Sequence, residues 1–388
     1  MDEIVIVGAA RTPMGGFLGD FKDVSAPELG ATAIAAALSR AGLKGEDADE
    51  VVLGCVLPAG LGQAPARQAS LGAGVPVSVG ATTLNKMCGS GMKAAMLARD
   101  LIAAGSADIV IAGGMESMSR APYLLERART GYRMGHGKVA DSMFLDGLED
   151  AYDKGRLMGT FAEDCAREYQ FTREAQDAYA LTSLGRANRA MREGAFAAEI
   201  VAVSVKSGVV ATDEQPPKAR PDKIATLKPA FRDGGTVTAA NSSSISDGAA
   251  ALILTRLSVA EKRGLKPLAR VVGHATYAAE PAKFPTAPIG AIKRLFDKIG
   301  WRAGDVDLYE INEAFAVVAM AAMRDLGLPH DKVNVNGGAT ALGHPIGASG
   351  ARILVTLLAA MQARGARRGV AALCIGGGEG TAMAVERV

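Results

Sequence analysis

Two stretches of the chain have the length of a helix but almost no polar face. One runs from Gly91 to Ala104, broken only by Lys93, Arg99 and Asp100; the other runs from Ala351 to Ala360, where Arg352 is the sole charge. A helix that is apolar all round is expected to be buried on all sides. A short glycine-containing turn follows each, and then an apolar strand: Asp108–Gly114 after the first, Gly369–Gly376 after the second. The order Ser-Gly, helix, strand, Gly-Gly turn therefore occurs twice. In the second copy a closing strand, Thr381–Val385, comes at once, whereas its match in the first, Gly248–Leu254, comes more than a hundred residues later. The first copy thus carries an insertion, about Ser119 to Asp247, of different texture. It contains arginines at 120, 127, 129 and 133, a charged helical stretch from Thr172 to Glu193 and a Pro-rich segment around Pro216–Pro221, which together read as a surface subdomain. Buried helices flanked by strands predict an α/β protein with sheets on both sides of a helical layer and two duplicated halves meeting along it.

Composition narrows the function classes. The chain has 388 residues, 49% hydrophobic and 22% charged, enough for two or more domains around a large core. A formal net charge of +2 with no long basic block argues against nucleic acid and leaves a small anionic ligand as the better partner. Four cysteines without Cys-x-x-Cys spacing argue against a disulfide framework or a zinc site and favour a reducing compartment, the cytoplasm by default. The strand-like run Ile4–Gly8 begins almost at Met1, so no signal or transit peptide is expected, and no apolar run has membrane-spanning length.

Against that background the cysteines stand out. Cys88, in Asn85-Lys86-Met87-Cys88-Gly89-Ser90-Gly91-Met92, and Cys374, in Leu373-Cys374-Ile375-Gly376-Gly377-Gly378, read as matching positions of the two related stretches, each followed by glycines that admit a substrate to the backbone. Between them, Gly343-His344-Pro345-Ile346-Gly347-Ala348-Ser349-Gly350 carries a histidine. A nucleophilic thiolate, a histidine that holds its proton and a second thiol acting as base make a set suited to carbon–carbon bond chemistry on thioesters. Cys88 precedes a helix, whose N-terminal field is expected to lower its pKa. Each residue also has a plainer reading: a free cysteine is most often a small buried hydrophobe, a lone histidine is most often structural, and Asn312 suits a helix cap before Ala314. The glycines after Cys374 do not form a dinucleotide loop, since only eight residues follow Gly380. His136, His274, His330, Cys55 and Cys165 lack partner motifs and read as structural.

Together with Gly113-Gly114-Met115-Glu116-Ser117-Met118, Asn312-Glu313-Ala314-Phe315-Ala316 and Asn334-Val335-Asn336-Gly337-Gly338, these motifs resemble, in order and across nearly the whole chain, those of the thiolases. The resemblance implies a thiolase-like five-layered α-β-α-β-α sandwich of two duplicated halves with an inserted loop domain: residues 1–118 and 248–266, the insertion 119–247, and 267–388. It implies a homotetramer of tight dimers. It also implies roles: Cys88 as nucleophile, Cys374 as base, His344 as acceptor of the Cys88 proton and oxyanion ligand, Asn312 as holder of a water at that oxyanion, and the N–H groups of Cys88 and Gly376 as a second oxyanion hole. Glu313 is expected only to orient its neighbours. Candidate coenzyme A contacts are Ser243 and Ala239 in the Ser-rich strip, Phe231, Leu148, Met158, Ala314 and Phe315, with Arg220 toward the adenine nucleotide.

One departure matters. Short-chain members carry His-Met-Gly beside the acyl pocket, where this chain reads Leu157-Met158-Gly159, which loosens the expectation of strict acetoacetyl-CoA specificity. The activity implied is a reversible condensation of two acetyl-CoA to acetoacetyl-CoA plus CoA and thiolytic cleavage of 3-ketoacyl-CoA, with acyl-CoA and CoA as partners and neither metal nor redox cofactor. A mainly degradative enzyme for longer chains is the alternative. A decarboxylating condensing enzyme would not need Cys374, and a non-catalytic acyl-CoA or lipid carrier would not need the Cys88, His344 and Cys374 set.

Overall fold

The repeat of helix and strand recurs as a repeat of sheet topology. The computed structural model describes residues 2–388. In chain order the principal strands are β1 (Ile4–Arg11), β2 (Glu50–Gly54), β3 (Gly80–Leu84), β4 (Ile109–Ser117), β5 (Ser246–Arg256), β6 (Ala269–Ala278), β7 (Leu308–Ile311), β8 (Arg368–Ile375) and β9 (Glu379–Glu386). The first five lie in the order β3-β2-β4-β5-β1, the last four in the order β7-β8-β9-β6. In the first group β2 runs parallel to β3 and β4, while β5 runs antiparallel to β4 and β1. The second repeats this: β7 is parallel to β8 and bridged in parallel at Tyr309–Val333, and β9 is antiparallel to β8 and β6. Val5–Arg270 and Ile6–Ala269 pairs join β1 to β6, so the halves share one continuous sheet.

The helices that position the site are α1 (Ala26–Ala41), α2 (Pro65–Gly72), α3 (Ser90–Ala104), α4 (Met158–Glu168), α5 (Arg173–Arg192), α6 (Ala287–Ile299), α7 (Ala316–Leu326) and α8 (Ser349–Arg364). Strand alternation sorts them into layers, because successive side chains face opposite sides. Val5 and Val7 of β1 pack with Leu29 and Ile34 of α1, while Ile4 and Ile6 pack with Met92 of α3 and Ile353 of α8. In the second half of that sheet Ala371 and Leu373 join the central cluster, and Val370 and Ala372 face Ile292 of α6 and Val317 of α7. The result is α1/α2, the first half of the sheet, α3/α8, the second half of the sheet, α6/α7: five layers. The central helices approach closely at Gly91 and Gly350, where an added Cβ would lie 2.6 Å from Ala351 N and 2.3 Å from Met92 N respectively.

Two expectations are corrected here. Only α8 is enclosed on nearly every side; α3 leaves a half-exposed stripe at Lys93, Leu97, Arg99 and Asp100, which the sparse polar residues of that helix line. Cys88 and Cys374 are not equivalent positions either. Cys88 stands before a central helix and Cys374 near the end of the strand that follows one; aligned on Ser90-Gly91 and Ser349-Gly350, the counterpart of Cys88 is Gly347. The inserted segment supplies α4 and α5, and Thr172 caps α5 by accepting the Ala175 N–H at 3.2 Å.

Candidate active site

Cys88 is set by a strained turn between β3 and α3. Met87, immediately before it, has φ 47°, a left-handed conformation that costs a side-chain-bearing residue about 1–2 kcal/mol. Its neighbours over-determine it: Asn85 Oδ1 accepts the Met87 N–H at 2.8 Å, and the Ser90 hydroxyl donates to Met87 O at 2.6 Å while accepting the Lys86 N–H at 2.8 Å. Lys86 Nζ pairs with Glu379 of the other half, tying the Cys88 turn to the glycine turn beyond Cys374. That turn has Gly377 at φ 93° and Gly378 at φ 86°, which only glycine adopts without strain.

Cys88, Cys374, His344 and Gly376 all line one cavity of about 380 Å³. The backbone N–H groups of Gly376 and of Cys88 itself favour the charged form of the Cys88 sulfur. Burial nevertheless pushes the Cys88 thiol up to about 11, with those N–H groups opposing the rise and Glu116 adding to it. The expected lowering is thus overturned: burial removes water from the sulfur, and desolvation outweighs the field at the start of α3. Cys374 is wholly buried, and burial followed by the nearby Cys88 charge drives its thiol well above the ordinary range.

His344 projects from the arch between Gly343 and α8. Gly343, at φ 99°, has no room for a side chain, since a Cβ would lie 2.1 Å from Ser246 Oγ. Ser349 Oγ lies 3.0 Å from Pro345 O and 2.5 Å from His344 Nδ1, and with its hydrogen directed to the carbonyl the hydroxyl accepts an Nδ1–H. That assigns the proton to Nδ1 and leaves Nε2 as an acceptor. Burial, with Arg352 adding to it, lowers the His344 pKa to about 3, so the ring is neutral. Asn312 is not a helix cap: α7 starts at Ala316. Its Nδ2 reaches His344 Nε2 at 3.5 Å, its backbone N–H donates to Ala372 O at 2.9 Å, and its buried Oδ1 has no partner among the described residues. It stands behind the histidine rather than in the cavity lining.

Glu313 is an organiser. Its Oε1 accepts from Tyr179 Oη at 2.8 Å and Asn334 Nδ2 at 2.7 Å; its Oε2 accepts from Ser183 Oγ at 2.8 Å and Thr340 Oγ1 at 2.7 Å. Tyr179 and Ser183 belong to α5, so this carboxylate docks the inserted segment beside Asn312.

Of the coenzyme A candidates, Ser243, Ala239, Phe231, Leu148, Met158, Ala314 and Phe315 line the cavity, as does Leu157. Ser243 N–H and hydroxyl both donate to Ala314 O, at 2.9 and 3.0 Å, which holds the Ser-rich strip against the segment leading into α7. Phe231 meets Phe315 edge-on at 5.8 Å, and a Cβ on Gly159 would lie 2.3 Å from the Phe231 ring, which explains the glycine after Met158. Arg220 is the exception. It is surface-exposed, pairs with Asp222 at 3.3 Å and takes no part in the lining; it immediately precedes the 3₁₀ turn Pro221–Thr226.

Sequence reasoning gave no role to Ser349, Glu116, Phe144 or Ile346. Ser349 carried one usable signal, a hydroxyl at the first turn of a helix five residues after a histidine. Glu116 carried another, a lone carboxylate ending an apolar strand. The histidines and cysteines read as structural lie outside the lining: His330 stacks on Tyr179 at 5.1 Å, His274 meets Asp100 at 3.1 Å, His136 is exposed, and Cys55 and Cys165 are buried elsewhere. Among the described residues no cluster of three or more His, Cys, Asp or Glu is placed to hold a metal, and no helix is long and apolar enough to cross a membrane.

Comparison with known proteins bears on the chain as a whole. A family model described as the thiolase N-terminal domain matches residues 4–258, and one described as the thiolase C-terminal domain matches residues 265–387. The chain is 52% identical to the acetyl-CoA acetyltransferase of Chromobacterium violaceum, over 99% of this chain and 100% of that protein. It is 52% identical to acetyl-CoA acetyltransferase 2 of Arabidopsis thaliana, over 99% and 97%. The crystal structure of the Bacillus anthracis acetyl-CoA acetyltransferase superposes with a TM-score of 0.97 at 40% identity, covering 100% of this chain and 99% of that one.

Proposed function

The chain belongs to the thiolase family and is an acyltransferase, and from that premise we propose how its residues join two acetyl-CoA molecules into acetoacetyl-CoA and release CoA, and run the reverse thiolysis. The observation that carries the assignment is one apolar cavity onto which two cysteines and a neutral histidine open. The names of the relatives favour acetyl transfer over a mainly degradative enzyme for longer chains.

In the first half-reaction Cys88 Sγ attacks the thioester carbonyl, and His344 Nε2 takes the thiol proton and passes it to the departing CoA sulfur. With the thiol near 11 and the imidazole near 3, the resting pair is neutral, and the proton leaves as the carbon–sulfur bond forms. The acetyl-Cys88 carbonyl oxygen then takes the place of sulfur lone pairs before the Cys88 and Gly376 N–H groups. In the second half-reaction Cys374 removes a methyl proton from a second acetyl-CoA, and because His344 Nε2 carries no proton at that stage the donor to the enolate oxygen is a water held by Asn312. The carbanion attacks the acetyl group, a new carbon–carbon bond forms, and the Cys88 thiolate is expelled and recovers the proton held on Cys374. Charge develops on oxygen in both halves, and hydrogen-bond donors meet it, so the reading needs no resident metal or redox cofactor.

The same reading includes a homotetramer in the cytoplasm, a role in fatty acid metabolism, and the division of the chain at 1–118 with 248–266, 119–247 and 267–388. Peptide mass spectrometry after brief exposure to acetyl-CoA tests its centre. An acetyl group on Cys88, together with thiolysis of acetoacetyl-CoA, is expected; an unmodified Cys88 refutes the proposal.

A further inference from the structure

The mechanism leaves one buried carboxylate unused. Glu116, at the end of β4, is wholly buried. Its Oε2 accepts the Val56 N–H at 3.0 Å and the Gly347 N–H at 2.9 Å, and its Oε1 accepts the Leu57 N–H at 3.2 Å. The Cys55 thiol lies 3.7 Å from Oε1. Val56 and Leu57 follow β2 in the first half, and their side chains cluster with Ile346 and with Cys88. Gly347 belongs to the second half and to the arch that carries His344. The fit is close on every side. A Cβ on Gly347 would lie 2.6 Å from Glu116 Oε2, and one on Gly114 would lie 2.1 Å from Gly347 O.

We infer that Glu116 is a positioning residue for the reaction: its carboxylate fastens the His344 arch of one half to the wall beside Cys88 in the other, and so fixes the line along which imidazole meets sulfur. The inference rests on the proposed role of His344 toward Cys88. Three backbone donors converge on the two oxygens, so only a group that accepts on both sides satisfies them. A carboxamide would turn an N–H toward at least one of these donors. The titratable groups that act on Glu116 or feel it are Cys55 beside it and Cys88 across the wall; burial raises Glu116 itself to about 7.

The experiment compares the wild-type enzyme with Glu116→Gln, Glu116→Asp and Gly347→Ala. Thiolysis kinetics and the pH profile of Cys88 alkylation by iodoacetamide are read for each. Glu116→Gln is expected to lower kcat for acetoacetyl-CoA about 10- to 100-fold, the scale of a small misalignment, with KM changed less than about threefold on the same ground. It also removes a negative charge near the sulfur, so the alkylation profile moves to lower pH: the thiolate becomes more available while turnover falls. Lost turnover at a Cys88 that still alkylates readily places the defect in the alignment of imidazole and sulfur rather than in the turn that holds the nucleophile. Glu116→Asp keeps the charge and is expected to recover the wild-type alkylation profile. Should Glu116→Gln fail to fold, Gly347→Ala carries the test: it pushes the arch off an intact carboxylate and must lower kcat without moving the profile. Turnover within about threefold of wild type in the folded variant, or an unmoved profile in Glu116→Gln, overturns the inference. Failure of wild-type Cys88 to take an acetyl group would instead overturn the functional proposal beneath it.

Discussion

Replacing Ser349 by Ala separates the tautomer of His344 from its placement. In the native protein the serine hydroxyl is committed to Pro345 O at 3.0 Å and therefore accepts the Nδ1–H at 2.5 Å, which leaves Nε2 bare for the Cys88 proton. Alanine deletes that acceptor and little else. Position 349 opens α8, where alanine is a good helix former, so the helix itself should stand. The Nδ1–H is then buried without a partner, at a cost of about 1–3 kcal/mol. The ring can recover part of this by moving the proton to Nε2, toward Asn312, and that tautomer cannot take a proton from sulfur. The same 1–3 kcal/mol, applied to the fraction of competent imidazole, corresponds to a fall of roughly 5- to 150-fold in Cys88 acetylation. Rapid-quench mass spectrometry of the acetyl-enzyme measures this half-reaction alone, and Ser349→Thr should restore much of the rate because it keeps the hydroxyl. Acetylation of Ser349→Ala at the wild-type rate would refute the tautomer assignment and the role given to Nε2.

Cys374→Ala should leave acetylation of Cys88 intact while turnover falls about 10²–10⁴-fold, the usual worth of a general base; near-normal thiolysis would remove Cys374 from the mechanism. Lys86→Met breaks the half-exposed pair with Glu379 that ties the two cysteine turns together, an interaction worth about 0.5–1 kcal/mol after screening; acetylation should slow a few-fold and lose the sensitivity to added NaCl that the wild type is expected to show. Gly350→Ala places a methyl 2.3 Å from Met92 N and should cost about 1–3 kcal/mol in urea unfolding by forcing the central helices apart; an unchanged midpoint would show that they give way freely. His344, lowered from 6.5 to about 3 by burial, stays neutral in the native state while the unfolded chain takes up a proton. Its stabilising contribution is therefore complete above pH 6.5 and is lost as pH falls toward 3, at up to about 1.4 kcal/mol per pH unit. The stability gap between the wild type and His344→Asn should narrow over that window, and a gap independent of pH would contradict the buried neutral ring.

The α/β class and the duplication were legible because punctuation repeats with the pattern: Ser-Gly opens each central helix, and a Gly-Gly turn closes the strand after it. The charged helix of the insertion was legible too, from Thr172 to Glu193, which cap Arg173–Arg192. What local pattern could not carry was environment. The open stripe on α3 and the complete burial of Arg352 on α8 depend on which helix the layers enclose, not on either helix alone. The sign of the Cys88 shift failed for the same reason. The field of a helix start is local and readable, whereas burial depends on the whole cavity wall, to which the insertion adds Leu148, Leu157 and Met158. Cys88, His344 and Cys374 could be found because each is a rare residue type inside a glycine-bounded motif. Arg220 could not be placed, since a Pro-rich turn does not say which way it faces.

The corrected correspondence between the halves explains why one site needs both. With Ser90 matched to Ser349, the same device occurs twice. Ser90 Oγ donates to Met87 O at 2.6 Å and accepts the Lys86 N–H at 2.8 Å, while Ser349 Oγ donates to Pro345 O at 3.0 Å and accepts the His344 Nδ1–H at 2.5 Å. In each copy a serine at the start of a central helix locks the turn just before it. The first copy uses the locked turn to hold the strained Met87 and present a sulfur at 88; the second has Gly347 at that place and presents an imidazole three residues earlier instead. Neither turn is a catalyst alone, because one holds a nucleophile without an acceptor and the other an acceptor without a nucleophile. Gly91 and Gly350 let the two helix starts approach within backbone contact, and that approach brings the sulfur of one copy and the imidazole of the other to a single cavity. It follows that separating the central helices by even a methyl group should reduce acetylation of Cys88 before it unfolds the chain, so the Gly350→Ala protein should lose activity at urea concentrations where its fold is intact.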